Sequence, residues 1–524
     1  MRAAVLTLTA ILTIAFSLPA VERQPSNRLP WKEAGLSERE AAAHLLNRFA
    51  YGPRPGEVEA VVKMGLDRWL ERQLAADLPD RELDRRLDRL PALEMSASEI
   101  ARTYPRPGML RAEASRAGVI PEDTEDKKER RGAVMQWAEE RGYRSQRELA
   151  GQLMAQKLWR AVESENQLAE VMTDFWFNHF NVSMTDNQSR GHLLSYERDA
   201  IRPNALGKVR DLLGATAKHP AMLLYLDNAR SNARRGLNEN YARELLELHT
   251  LGVDGGYTQR DIVEVARAFT GWTVGVRDGG FLFRPAGHDS GAKTVLGRKL
   301  PAGRGIEDGE AVLDLLAVHP STAKHLASKL AVRFVSDKPS QALVDRLAAV
   351  YLKSGGQVRP VLKALAESPE LWSSVGDKIK SPFELAASAI RGLDAEVKQP
   401  RETLRWIADM GQKLYAYQAP TGYPDRAEAW VNTGSLLNRM NFGLQLAAGR
   451  VRGVDFDLKG ATASRDEALR TYAERLLPGR DLKPALALLQ PMVNDPGLPK
   501  KVEGATAVEQ VVGVILGSPE FQRR

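Results

Sequence analysis

The chain has 524 residues, 43% of them hydrophobic, and a formal net charge of +7 that arises from 74 Lys and Arg against 67 Asp and Glu. This composition excludes disorder of the whole chain, and because acidic and basic residues are interleaved it provides no concentrated positive surface for nucleic acid. The chain has no Cys, which excludes thiol nucleophiles, thiolate zinc sites and iron–sulfur clusters.

Residues 1–20 are typical of an export signal. Met1 and Arg2 form a short positive region, about 14 apolar or Thr residues follow from Ala3 to Phe16, and residues 17–20 supply small side chains and a proline. The apolar run is shorter than the roughly 20 residues that a membrane span needs, and an uncleaved anchor is the alternative. We therefore expect an exported chain, periplasmic or extracellular, with no transmembrane span after the signal.

Helical periodicity dominates the rest of the chain. Residues 27–110 are predicted to form an N-terminal helical region, which begins with a capping box at Ser37 and Glu40. Residues 111–145 are predicted to be a charged irregular segment, because 121–132 contains almost no apolar residue. Residues 146–395 are predicted to be a central helical core, and residues 400–524 a C-terminal helical region.

One short stretch favours β-structure. Asp278-Gly-Gly280 separates two β-prone runs, which predicts a hairpin over 272–284. No internal repeat is present, and no glycine-rich phosphate loop follows a strand. The predicted fold class is mainly α, a multi-helix globular protein with one small β-hairpin element.

Polar clusters concentrate in the central region, where seven of the eight histidines lie between His179 and His325. In the first cluster, Asn178 and His179 sit within an aromatic run. One interpretation is that both side chains satisfy the last carbonyls of a helix. The other is that they bind a ligand, with His179 as a candidate metal ligand.

The second cluster carries two acidic side chains. Asn240, Glu244 and Glu247 are spaced i, i+4 and i+7, which places them on one face of a regular helix. Two carboxylates one turn apart could ligate a divalent cation such as Ca²⁺ or Mg²⁺, or act as an acid/base pair. The structural alternative is an ion pair between Arg243 and Glu247 on a solvated surface.

Two further clusters follow along the chain. Thr258 and Asp261 form a variant capping box, and Arg267 is placed to pair with a carboxylate of the second cluster. His288 and Asp289 lie in a glycine-rich loop after the predicted hairpin, where they could be a ligand pair or a base with the group that orients it.

These stretches together resemble the DUF1800 family, large exported bacterial proteins of unknown function. The most specific motifs are Phe175-Trp-Phe-Asn-His-Phe-Asn181 and Asn238-Glu-Asn-Tyr-Ala-Arg-Glu-Leu-Leu-Glu-Leu-His-Thr-Leu-Gly252. The others, in chain order, are residues 44–53, 64–70, 219–227, 257–261, 268–272, 288–289, 381–384, 410–412, 422–424 and 517–521. The resemblance implies no activity. Genes of this family often accompany those of DUF1501 proteins, which resemble secreted phosphatases and sulfatases, so the resemblance implies such a protein as a partner.

Because buried polar networks are costly unless satisfied, we expect the polar residues within the family motifs to converge on one pocket. The candidate catalytic residues are Glu244, Glu247, His288 and Asp289, and the candidate metal ligands are Glu244, Glu247 and His179. The candidate ligand-binding residues are Asn178, His179, Asn240, Arg243, Tyr257, Asp261, Arg267 and Trp272.

Two functions are open at this point. The first is a non-catalytic binding or assembly partner of a DUF1501-like protein. The second is a metal-assisted hydrolase or ligand-binding protein that acts on envelope or extracellular substrates. Paired polar side chains would favour the first function, and unpaired carboxylates in an open pocket would favour the second.

Overall fold

A computed structural model of the protein describes residues 29–120, 126–275, 279–458, 464–495, 497 and 503–524. Helices account for most of these residues, which confirms the predicted mainly α class. The predicted export signal lies outside the described residues. Among the described helices, none combines the length and the apolar character that a membrane crossing requires.

The N-terminal region begins with a capped helix. The Ser37 side chain accepts a hydrogen bond from the Glu40 amide, and the Glu40 side chain accepts one from Ser37, so the predicted capping box is present. The α-helices of this region are Glu38–Phe49, Glu57–Met64, Leu66–Ala75, Arg81–Leu87 and Ala97–Thr103, and a 3₁₀ turn covers Pro91–Leu93.

The prediction of irregular structure over 111–145 is wrong for most of the segment. Two helices, Pro107–Arg116 and Lys127–Glu140, cover it on either side of residues 121–125, which lie outside the described part. Their apolar faces are narrow, and they bury a small cluster that includes Ala114, Val134 and Trp137, separate from the main core. Two helices that pack against each other need only a few apolar residues at helical spacing. The low apolar content of this segment therefore did not indicate helices.

The central region is built from helices of ordinary length and two unusual ones. Its α-helices are Gln146–Glu163, Gln167–His179, Leu193–Ser195, Val209–Lys218, Pro220–Tyr225, Asn240–Glu244, Gln259–Ala268, Glu307–Ala317, Pro320–Phe334, Gln341–Lys353, Val358–Ala366, Pro369–Trp372 and Pro382–Leu393. Its 3₁₀ turns are Arg190–His192, Arg202–Asn204, Asn228–Arg230 and Pro285–Gly287.

Two segments of the central region are π-helices, Tyr196–Ile201 and Leu245–Thr250. The second replaces the latter part of the regular helix predicted from the spacing of Asn240, Glu244 and Glu247. A π-helix closes its hydrogen bonds over five residues and is frequent at functional sites. The i, i+4, i+7 relation therefore does not apply across this stretch.

The sheets that the described residues form are two-stranded and antiparallel. The predicted hairpin is confirmed, with Trp272–Val274 paired to Phe281–Phe283, although residues 276–278 of its turn lie outside the described part. A second hairpin pairs Lys293–Val295 with Arg298–Leu300, and a third short pairing joins Glu396–Val397 to Val454–Asp455.

The C-terminal region packs on the rest through one continuous core, which extends from Leu29 to Phe521. A Cβ on Gly443 would lie 2.8 Å from the Gly517 amide nitrogen, so two of its helices approach at a distance that only glycine allows. The α-helices here are Arg401–Asp409, Thr433–Ala447, Arg465–Leu476, Leu482–Val493, Ala507–Gly517 and Pro519–Gln522, with a 3₁₀ turn at Ala427–Ala429.

Candidate functional site

The structure distributes the predicted site residues over three neighbouring places. In the first, the Asn178 amide binds a distant loop, since it donates to the Tyr423 carbonyl at 2.7 Å and accepts from the Tyr423 amide at 2.7 Å. Asn178 is therefore a clamp between two segments of the chain.

His179 turns into the core beside two other histidines. Its Nε2 lies 3.1 Å from the His249 carbonyl oxygen, and its ring centroid is 5.9 Å from that of His249 and 6.1 Å from that of His325. Burial, followed by the positive charge of Lys329, holds the pKa of His179 well below its usual value. His179 is thus a neutral core side chain, and its Nδ1 has no hydrogen-bond partner within the described residues.

The second place is a partly exposed acidic surface on the π-helix Leu245–Thr250 and the short α-helix before it, Asn240–Glu244. Arg243 binds Glu239 at 3.4 Å and Gln259 at 3.0 Å, so the alternative of an Arg243–Glu247 pair is wrong. Within the described part of the chain, the side chains of Glu244 and Glu247 make no hydrogen bond or ion pair. Burial, together with the neighbouring Glu247, raises the pKa of Glu244.

Asn240 and Tyr257 belong to this acidic surface as well. Asn240 is exposed, and Tyr257 is half-buried, with its pKa raised by burial and then by the charge of Glu247. Within the described residues, the predicted acidic side chains therefore lie at the surface and do not contact His179.

The third place is the surface on which the second hairpin packs. Asp261 accepts a hydrogen bond from the Leu296 amide at 2.8 Å, and Glu264 accepts one from the Thr294 amide at 2.8 Å. Arg267 binds both oxygens of Asp289, at 2.8 and 3.1 Å, so its predicted pairing with the second cluster is wrong. These side chains hold the hairpin on the helix Gln259–Ala268.

His288 and Trp272 are buried beside that surface. The His288 Nδ1 lies 2.8 Å from the Thr270 carbonyl oxygen, and its Nε2 lies 3.4 Å from Asp308, which also binds Lys293 at 2.6 Å. Trp272 packs against Phe269 and has no exposed surface. Both predicted site residues are therefore buried and packed against other residues of the chain.

No group of three or more His, Asp or Glu side chains is arranged to hold a metal ion in the parts of the chain that the structure describes. Of the three candidate metal ligands, His179 contacts His249 and His325, whereas Glu244 and Glu247 lie on the acidic surface.

A different pocket brings the family motifs together. It has a volume of about 40 Å³, room for roughly three water molecules, and we call it the aromatic pocket. Four of the motifs reach it: 175–181, 381–384, 410–412 and 422–424. It is lined by Lys157, Asp174, Phe175, Phe177, Asn178, Asn181, Arg333, Ser381, Gln412, Leu414, Tyr415, Tyr417, Tyr423, Pro424, Asp425 and Trp430.

A buried lysine forms the floor of the aromatic pocket. The Lys157 Nζ lies 2.6 Å from Asp174 and 3.7 Å from Glu197, and 5.0 Å from the centre of the Tyr415 ring. Burial alone would lower the pKa of Lys157, but the charges of Asp174 and Glu197 outweigh it and raise the pKa. Lys157 is therefore a charged ammonium held by one accessible and one buried carboxylate.

Arg333 supplies a second positive group. Its Nη1 lies 2.6 Å from Glu384 and 3.6 Å from Asp425, while its Nε and Nη2 have no hydrogen-bond partner within the described residues. A buried guanidinium with two unused donors can bind a carbonyl or an anionic group of a ligand.

The opposite wall is a loop tied down by asparagines. Asn181 donates to the carbonyls of Tyr417 and Ala419, at 3.0 and 2.8 Å, beside the Asn178 clamp on Tyr423. Gly422 has φ +68°, and a Cβ there would lie 2.1 Å from the Asn178 carbonyl oxygen. The motifs at 175–181 and 422–424, which are far apart in sequence, thus contact each other closely.

Four charged residues that line this pocket are not among the site residues predicted from the sequence: Lys157, Asp174, Arg333 and Asp425. A usable signal existed, because Lys157 continues the i, i+4 series of Leu149 and Leu153 on the apolar face of its helix. A charge on an apolar face requires a buried partner.

The fold and the pocket define a multi-helix protein in which four of the sequence motifs line a charged, aromatic-walled cavity. The chain belongs to the family described as "Protein of unknown function (DUF1800)", whose model matches residues 44–523. No curated protein and no solved structure matches the chain.

Proposed function

We propose that the chain is an exported, non-catalytic binding protein that assembles with a secreted partner, and that the partner is a DUF1501-like protein. The contacts that several predicted site residues make support this proposal. Asn178, Asp261 and Arg267 direct their polar atoms at the chain's own backbone and side chains, which is the behaviour of a structural network.

The observation that carries the proposal is an apolar surface beside the aromatic pocket. Leu436, Leu437 and Met440 project from the helix Thr433–Ala447, and Val431 precedes it directly after Trp430 of the pocket wall. Leu437 alone is 59% exposed. Met440 is at i+4 from Leu436 and at i+3 from Leu437, so it adjoins both side chains on the helix surface. An exposed apolar patch of this kind is typical of a protein-binding surface.

The test is a binding measurement between the exported chain and the DUF1501-like protein encoded in the same genome. We expect a complex in sedimentation velocity, and a dissociation constant at least tenfold higher for Leu437→Asp, because a charge would be buried without a partner. Leu488→Asp is the matched control, since Leu488 is 46% exposed on a different helix, Leu482–Val493.

Absence of a complex with the unaltered chain would refute the proposed partner. Equal weakening by Leu437→Asp and Leu488→Asp would refute the assignment of the surface. These two outcomes are separate, because the first concerns which protein binds and the second concerns where it binds.

The unpaired carboxylates Glu244 and Glu247 favour cation binding as a second candidate function. Metal analysis of the exported chain, purified without chelator, tests it beside Glu244→Ala/Glu247→Ala. The control is Glu139→Ala/Glu140→Ala, which removes two exposed carboxylates from another helix. A stoichiometric metal lost only in the first variant would support cation binding by Glu244 and Glu247. No metal in the unaltered chain would contradict it.

A further inference from the structure

Positive charge is in excess around the start of the helix Pro382–Leu393. The buried carboxylate Glu384 already binds two cations, Arg333 at 2.6 Å and Arg524 at 3.0 Å. Within the described residues, the hydrogen bonds of the buried Arg439 side chain go to neutral groups, the Gln522 side chain at 2.6 Å and the Lys380 carbonyl at 2.7 Å. Buried charge without a counter-charge is costly, so this region favours an anion.

A pocket opens into this region from the surface. Its charged lining consists of Lys380, Arg475, Arg480 and Arg523 against a single carboxylate, Glu520, and its volume is about 20 Å³. We call it the Lys380 pocket. The volume suits a water molecule or the head of a small anionic group.

Lys380 is the most informative member of the lining. It is only 5% exposed, and its Nζ lies 3.9 Å from the centre of the Phe521 ring. Among the described residues it has no hydrogen-bond or ion-pair partner for that ammonium. Burial, then the charge of Arg480, holds the pKa of Lys380 well below its usual value.

The neighbouring guanidinium groups differ in how many of their N–H donors make hydrogen bonds within the protein. Arg475 caps a helix by donating to the carbonyls of Gly392 and Leu393, at 3.2 and 2.9 Å. Arg523 donates to the Gly376 carbonyl at 3.4 Å. Arg480 packs on Gly376, where a Cβ would lie 2.7 Å from its Nη1, and makes no hydrogen bond or ion pair through its side chain within the described residues.

We propose that the Lys380 pocket binds an oxyanion, the phosphate, sulfate or carboxylate group of a ligand, through the Lys380 ammonium and the Arg480 guanidinium. Charge-assisted hydrogen bonds to an oxyanion would use donors that the protein leaves free, and the bound charge would offset the repulsion among the surrounding cations. The site is independent of the apolar surface and of the proposed partner.

Isothermal titration of the exported chain with inorganic phosphate, sulfate and acetate tests the proposal, with chloride used to keep the ionic strength constant. We expect saturable binding of at least one oxyanion, and a dissociation constant at least tenfold higher in Arg480→Gln. Lys483→Met is the matched control, because Lys483 is exposed nearby and does not line the pocket. The three anions distinguish the chemical source of the group.

A second variant keeps the test decisive. Lys380→Met removes a buried ammonium, so we expect a higher melting temperature without added anion and no further rise with it. Saturable binding that is equal in Arg480→Gln, Lys380→Met and Lys483→Met would overturn the assignment. No saturable binding to the unaltered chain would overturn the proposal itself.

Discussion

Replacement of Gly422 by alanine provides the most direct test of how the aromatic pocket is built. The added Cβ would lie 2.1 Å from the Asn178 carbonyl oxygen, a distance that the loop must relieve by moving. That movement breaks the two hydrogen bonds between Asn178 and Tyr423, each 2.7 Å long. Gly449→Ala is the matched control, because Gly449 has φ +64° and no atom within 4 Å of the added Cβ.

The two glycine substitutions should differ clearly in how much they lower the free energy of unfolding. The left-handed backbone costs about 1 kcal/mol in both variants. Two half-buried hydrogen bonds at about 1 kcal/mol each add to Gly422→Ala, so its total is about 3 kcal/mol. Asn178→Ala should lose about 2 kcal/mol, since it removes the bonds without the clash.

Urea unfolding followed by tryptophan fluorescence measures the differences, with Trp430 near the loop as one reporter. We expect the urea midpoint to be highest for Gly449→Ala, lower for Asn178→Ala and lowest for Gly422→Ala. The slope of the unfolding free energy against urea concentration should not change. Equal midpoints for the two glycine variants would refute the claim that the loop is fixed by close contact with Asn178.

Two further predictions concern buried charge. The pKa values of His249 and His325 are lowered to about 3 and about 4 by burial and then by Lys329. The unfolded chain therefore binds protons at pH 5 that the folded chain does not, and stability should fall between pH 7.5 and pH 5 by about 2 kcal/mol for each histidine. A stability that is independent of pH over this range, measured by urea unfolding, would contradict the prediction. Asp308→Asn should cost about 3–5 kcal/mol, because it leaves the Lys293 ammonium, 0% exposed, without its carboxylate. Asp314→Asn, at a carboxylate 60% exposed, should change stability little, and a similar loss in both would argue against a buried pair.

Local signals account for the parts of the fold that the sequence could predict. The capping box at Ser37 and the glycine pair before Phe281 act within a few residues, and both elements are present. The second hairpin was missed because its turn has Leu296 at φ +48° before Gly297, and leucine is unusual in that conformation. The two π-helices were missed because their spacing imitates an ordinary helix.

The candidate site was less predictable because its contacts are long-range. Asn178 and Tyr423 are far apart in sequence, and no periodicity links them. The aromatic run around Asn178 did predict burial and hydrogen bonding, but the partner could come only from the folded chain. Arg267 was assigned the wrong partner, since it binds Asp289, a residue that the sequence analysis had assigned to a pair with His288.

Asn178 and His179 also join two parts of the molecule mechanically. Asn178 grips the wall of the aromatic pocket, and the next residue, His179, contacts the carbonyl of His249 in the π-helix that carries Glu247. The end of a single helix is therefore the shared anchor of a cavity and an acidic surface. We therefore expect a substitution that breaks the contact between Asn178 and Tyr423 to raise the exchange of amide hydrogens on the π-helix as well.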